Sequence, residues 1–179
     1  VLSKTQLRAG KRLLNRLQSD IKIVIAGTEN TAKAKLATVF GATAVNRATI
    51  HVADWDDDHD VISADICIWC TSHFAGGEAA KWKNVPDRLK DHSVLVPILP
   101  HDPVAVNLNV FRDMAAEEFS SWLPISSRSL EADNPADDMK ALVQEIEKMA
   151  QMGFAAAADN AEFFLGLHAG KLPDRTASV

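Results

Sequence analysis

An α/β fold, a three-layer sandwich around a mainly parallel central sheet, is predicted by three features of the chain. Short apolar runs alternate with stretches of helical periodicity from residue 20 to residue 152, the pattern of strands joined by right-handed crossover helices. The run 65–71, Asp-Ile-Cys-Ile-Trp-Cys-Thr, is apolar at nearly every position, as expected of a strand covered on both faces. With 179 residues and 47% hydrophobic content, the chain can bury one substantial core without staples.

A basic helix opens the chain. Leu7, Leu14 and Leu17 recur at helical spacing with Leu13 beside them, so residues 3–18 read as an amphipathic helix. Strand 21–26 follows, then helix 31–40, stopped by Gly41 as a C-cap residue. A short strand is expected at 49–53, the apolar one at 65–71, a helix over 78–90 that includes Trp82, and a strand at 93–99 stopped by Pro100 and Pro103. Helix 110–118 leads to a last short strand at 122–125. Helix 137–152 carries Met139, Leu142, Val143, Ile146 and Met149 on one face. A further apolar helix is expected over 154–167, with a frayed tail after Gly170. The expected organisation is a basic helix at 1–19, an α/β domain at 20–152, and a C-terminal helix and tail at 153–179.

Charge is unevenly spread. The whole chain stands at −5, yet residues 1–19 hold Lys4, Arg8, Lys11, Arg12 and Arg16 without an acid, so the remainder stands at −10. Such acidity argues against a nucleic-acid partner. The basic helix reads first as a structural element whose leucines pack into the α/β core. Its second reading is a surface for an anionic membrane or an acidic partner. No apolar run approaches the roughly 18 residues needed to cross a bilayer, and no signal-peptide pattern is visible. The expected location is the cytoplasm, with any membrane contact made through residues 1–19 or through a partner.

Cys67 and Cys70 have C-x-x-C spacing but lie on an expected strand, where residues three apart point to opposite faces. They read as reduced core thiols rather than a redox pair or half of a zinc site. The segment 51–60, His-Val-Ala-Asp-Trp-Asp-Asp-Asp-His-Asp, lacks the glycine and spaced acceptors of a calcium loop. It reads as a solvated acidic loop, with a partner surface and a metal site as the alternatives. No cofactor or metal is expected, and His73 and His101, which follow strands, have no partnered nucleophile in view.

Directly after the first strand, residues 27–34 read Gly-Thr-Glu-Asn-Thr-Ala-Lys-Ala. The phosphate-binding pattern G-x-x-x-x-G-K-[ST] uses glycines to admit backbone N–H groups to the phosphates, a lysine for the β/γ oxygens and a hydroxyl for Mg²⁺. Gly27 and Lys33 stand at that spacing. Ala32 replaces the second glycine, and Ala34 replaces the Mg²⁺ ligand.

On these residues, together with Ala64-Asp65 before the apolar strand, the helix bearing Glu78 and Trp82, the run 94–102 and Leu123-Pro124-Ile125-Ser126-Ser127-Arg128, the chain resembles a P-loop GTPase domain of the dynamin-like and Era-like kind. The resemblance covers most of residues 20–152 and implies a GTPase-like fold with a shortened switch region. It implies nucleotide-binding positions at Gly27, Thr28, Asn30, Thr31, Lys33, Asp102 and Ser126, vestigial if they bind at all. At the guanine motif only Asp102 fits, because Leu99 and Pro100 replace its other residues. Asp57 stands in place of the switch glycine, where a carboxylate would repel the γ-phosphate. The eight residues 42–49 are too few for a usual switch loop and an additional antiparallel strand, so the threonine that closes over Mg²⁺ has no counterpart. Phosphoryl transfer depends on such parts, so no catalytic residue is assigned. Three readings follow. The first is a pseudo-GTPase interaction or scaffold module that is no enzyme, with a protein partner that is a genuine GTPase or a second copy of itself. The second is a divergent nucleotide-binding protein or slow GTPase using Gly27, Lys33 and Asp102. The third is a flavodoxin-like or receiver-like binding domain.

Overall fold

The computed structural model describes residues 2–42, 47–54, 58–74, 76–101 and 108–169. Its strands are β1 (Ile21–Gly27), β2 (Ala48–Val52), β3 (Ile66–Thr71), β4 (Ser93–Leu99), β5 (Ser121–Trp122) and β6 (Ile125–Ser126). They form one sheet in the order β2-β1-β3-β4-β5, with β6 also pairing β4. Every pairing is parallel, so each return is a crossover. The helices are α1 (Lys4–Gln18), α2 (Asn30–Ala42), α3 (Asp58–Ser63), α4 (Gly76–Trp82), α5 (Asp87–Lys90), α6 (Leu108–Glu118), α7 (Ser127–Glu131) and α8 (Asp137–His168). This is a three-layer α/β fold with a parallel central sheet, as the alternating pattern predicts.

The sheet separates two cores because side chains alternate across it. Val24, Ala26, Cys67, Trp69 and Leu95 project into one cluster with Phe74, Trp82, Leu89, Phe111 and Phe119. There the Trp82 and Phe119 rings stack with centroids 4.2 Å apart, and Trp69 meets Trp82 edge-on at 5.2 Å. Ile23, Ile25, Ile66, Ile68 and Cys70 alternate with that set and are buried too. Cys67 and Cys70 therefore sit on opposite faces of β3, free and fully buried. Burial pushes both thiols well above the ordinary thiol range.

Element boundaries differ from expectation at four places. The expected helix 78–90 is two helices, α4 and α5, interrupted at Pro86, which occupies the N-cap position of α5. The expected strand 122–125 is two short pieces, β5 and β6, separated by Leu123 and Pro124. Helices 137–152 and 154–167 are one helix, α8, because Gly153 costs about 1 kcal/mol, too little to stop a helix continued by Phe154–Ala158. Gly41 does not end α2, which runs on to Ala42. Two short helices, α3 and α7, lie in segments read as loop.

The chain divides into two compact units, one holding residues 20–149 and the other residues 1–19 with 150–179. In the second unit α1 lies beside the C-terminal part of α8. A Cβ on Gly10 would stand 2.9 Å from the Phe164 ring, so the glycine lets the two helices approach closely. The α1 leucines, expected to be packed, are exposed at Leu7 and Leu14 and half-buried at Leu13 and Leu17. No residue of α1 is buried, and Leu7 and Leu14 are 55% and 52% exposed.

Gly27 is the tightest point of the sheet. Its φ of +109° is open to glycine but strained for other residues, and an added Cβ would fall onto the Cys70 carbonyl of the neighbouring strand. Gly27→Ala is expected to lower unfolding free energy by about 3 kcal/mol or more, read from urea denaturation at unchanged m-value.

Candidate functional site

In a doubly wound sheet, ligands bind outside the carboxyl ends of the strands, at the point where the strand order reverses. The order β2-β1-β3-β4-β5 puts that point between β1 and β3. The turn after β1 contributes Gly27, Thr28 and Glu29, and the segment after β3 contributes Ser72, His73 and Phe74. Five of the residues singled out from the sequence, Gly27, Thr28, Asn30, Thr31 and Lys33, are thus brought to this edge. Asp102 lies outside the described residues, as do residues 55–57, which include the proposed switch position Asp57.

The turn is too short to hold a phosphate as a P-loop does. A P-loop keeps its glycine-rich residues in an open loop so that successive N–H groups converge on the anion. Here β1 ends at Gly27 and α2 begins at Asn30, leaving only Thr28 and Glu29 between them. The residues that would encircle a phosphate are instead wound into the first turn of α2, where the Lys33 amide already donates to the Glu29 carbonyl at 3.0 Å. Gly27 is required by the neighbouring strand, because a Cβ there would meet the Cys70 carbonyl.

Lys33 faces inward. Its side chain is 2% exposed, and its ammonium donates to the Ala53 carbonyl at 2.9 Å, with the Asp54 carboxylate 3.8 Å away. Ala53 follows β2, so the lysine ties the start of α2 to the end of the edge strand. An ammonium out of water requires such partners. With its charge held there, Lys33 does not project toward a phosphate.

Across the crevice, Glu78 of α4 is 5% exposed. One carboxylate oxygen accepts from the Trp69 indole at 2.8 Å and from the Thr28 hydroxyl at 3.3 Å. The other accepts from the Thr71 hydroxyl at 2.9 Å. Thr71 in turn accepts from the amides of Phe74, at 2.7 Å, and His73, at 3.2 Å, closing the turn after β3. Glu78 therefore fastens α4, β3 and the β1 turn together. Ser72 and His73 are neighbours with the hydroxyl 2.6 Å from Nδ1. Among the described residues no acid meets the imidazole, so they form no Ser-His-Asp relay.

Ser126 sits at the far end of the sheet in a separate network. It caps α7 by accepting from the Ser129 amide at 3.1 Å. Its own amide donates to Asp138 at 3.1 Å, and the Ser129 hydroxyl donates to the same carboxylate oxygen at 2.7 Å. Ser126 is thus a helix cap and not a lid over a base. Among the described residues no group of three His, Cys, Asp or Glu is placed to hold a metal. Sequence reasoning passed over Asp138, and it named Glu78 only as part of a resemblance. The one available signal was a carboxylate beside Ala79, Ala80 and Trp82 on a short helix.

No family model and no curated protein sequence matches the chain. Among solved structures it is similar to a flavodoxin-like domain from Synechococcus, at 11% identity over 73% of this chain and 96% of that one, with a TM-score of 0.42. It is also similar to a Methanococcus jannaschii protein for which a 3-hexulose-6-phosphate isomerase function was inferred, at 11% identity over 89% and 81%, with a TM-score of 0.32. Neither is a P-loop GTPase. The dynamin-like, Era-like and pseudo-GTPase reading is corrected on the chain's own geometry: the two-residue turn, the inward lysine and the capping role of Ser126. The strand order 2-1-3-4-5 is the flavodoxin-like one.

Replacing Glu78 by alanine would strand the Trp69 N–H and the Thr71 hydroxyl in the core. Glu78→Ala is expected to cost about 2–4 kcal/mol, and Thr28→Val, at the exposed end of the network, about 1 kcal/mol or less. Thermal and urea denaturation of both variants check the ranking.

Proposed function

We propose that the protein is a non-enzymatic binding module of flavodoxin-like architecture, in which the α/β unit is the support and the helix pair is the contact surface. The observation that carries this reading is the distribution of exposed apolar side chains. Leu7, Leu14, Met152, Phe163, Leu165 and Leu167 all belong to the helix-pair unit, against Val52, Ile62 and Val110 in the much larger α/β unit. A small unit with that much exposed apolar surface is built to be covered.

The crevice supports the same reading from the opposite side. In the flavodoxin-like order a flavin, where one is carried, lies at the β1/β3 switch point. The described residues here do not fit that group. The half-buried Glu29 stands in the turn where a phosphate would rest, and Lys33 is directed to Ala53. The neighbouring aromatic residues, Trp69 and Phe74, are 1% and 4% exposed within the core, and the chain contains no tyrosine. Among the described residues beside the crevice no Trp or Phe ring is free to flank an isoalloxazine, and no cation faces the phosphate position.

Calorimetric titration with GTP, GDP, ATP and FMN, each with and without Mg²⁺, tests this directly. No saturable heat is expected at micromolar concentrations. A dissociation constant near 1 μM, about −8 kcal/mol, for any of them would overturn the reading in favour of a nucleotide- or flavin-binding domain.

A further inference from the structure

The basic arc of α1 borders the apolar groove of the helix pair, and that adjacency specifies a ligand. Helix α1 begins with a complete capping box. Ser3 accepts from the Gln6 amide at 3.2 Å, and the Gln6 side chain accepts from the Ser3 amide at 2.8 Å. The helix therefore starts on local interactions of its own. Around its circumference, Leu2, Gln6, Gly10, Leu13 and Leu17 form the half-buried seam beside α8. At the helical angle of about 100° per residue, Leu7 and Leu14 come next, followed by Lys11, Lys4, Arg8, Arg12 and Arg16. The exposed leucines thus stand between the seam and a basic arc in which only the neutral Thr5, Asn15 and Gln18 are interspersed. Opposite them, α8 contributes Leu165, itself 52% exposed, to a groove of about 280 Å³.

Resting on the reading of the helix pair as the contact surface, we infer that this face docks on an anionic lipid surface. Charge complementarity carries the choice. Five cations with no acid on α1 are drawn to phosphatidylserine-type headgroups. Lys4 and Lys11, next to the exposed leucines, can lay their methylene stems along the apolar surface while their ammonium groups reach headgroup phosphate. Leu7, Leu14 and Leu165 then enter the acyl boundary, the arrangement of an amphipathic helix lying in the interface. No helix among the described residues is long and apolar enough to cross a membrane, so the contact is peripheral. A second copy of the chain is the poorer occupant. A two-fold interface sets the same patch against itself, and one centred on α1 would bring the two basic arcs together.

Co-sedimentation of the full chain with vesicles decides the matter. With phosphatidylcholine vesicles containing phosphatidylserine, binding is expected at low salt, falling about tenfold or more on pure phosphatidylcholine or at roughly 0.5 M NaCl. Lys4→Glu with Lys11→Glu is expected to weaken binding about tenfold or more. Leu7→Ser with Leu14→Ser should do the same at low salt, since both leucines are exposed and circular dichroism should report an unchanged fold. Equal binding to charged and neutral vesicles would overturn the inference. So would full retention of binding by the leucine variant, or a soluble dimer by light scattering with no vesicle binding. Failure on vesicles with blank nucleotide titrations would remove the lipid assignment alone and leave the binding-module reading in place.

Discussion

The Glu78 carboxylate accepts hydrogen bonds from β3, from the turn after β1 and from the residue that closes the turn after β3, and the carboxyl edge of the sheet is organised around it. A buried carboxylate is tolerated only when its lone pairs are met. The three donors that meet them tie α4 to β3 and to the turn after β1 and orient the Trp69 indole. The Trp69 ring then sets the position of Trp82, and Trp82 that of Phe119. The aromatic core on that face is aligned by one polar side chain at its rim.

Two further constraints finish the crevice. Gly27 brings the β1 backbone against the Cys70 carbonyl, and Lys33 spends its ammonium on Ala53. The switch point of a doubly wound sheet is ordinarily where convergent groups are left for a ligand. In this chain the glycine, the lysine and the glutamate at that point are engaged with one another's strands and turns. Exposed apolar side chains and positive charge coincide elsewhere, on the helix pair, where Leu7 and Leu14 are more than half exposed on the helix that carries Lys4 and Lys11.

The strands β1, β3 and β4 were legible because each is a short apolar run bounded by turn or breaker residues, and burial on both faces leaves no other reading. Boundaries were less so. Pro86 and Pro124 interrupted elements that periodicity alone would continue, whereas Gly153 did not, because an alanine-rich run follows it. Helix α3, Asp-His-Asp-Val-Ile-Ser, hides in an acidic segment with too few apolar positions to show a period. The deepest misreading came from Gly-x₅-Lys. Spacing records which residues are present but not the path of the backbone between them, and a helix expected from residue 31 and observed from Asn30 leaves too few residues for an open phosphate loop. Glu78 was invisible as a core residue for a related reason. A glutamate on a seven-residue helix points inward only if donors await it, and Trp69, Thr71 and Thr28 come from two other segments of the chain.

Whether the charges at the switch point belong to the fold or to a ligand is decided most directly by urea denaturation of Lys33→Met. A lysine kept for a ligand is a stability liability, and its replacement by an apolar side chain of similar length should leave stability unchanged or raise it. A lysine that satisfies the Ala53 carbonyl should be missed by the fold, and a loss of about 1–3 kcal/mol is predicted. Stability equal to or above that of the parent chain would contradict the assignment of Lys33 to the structure.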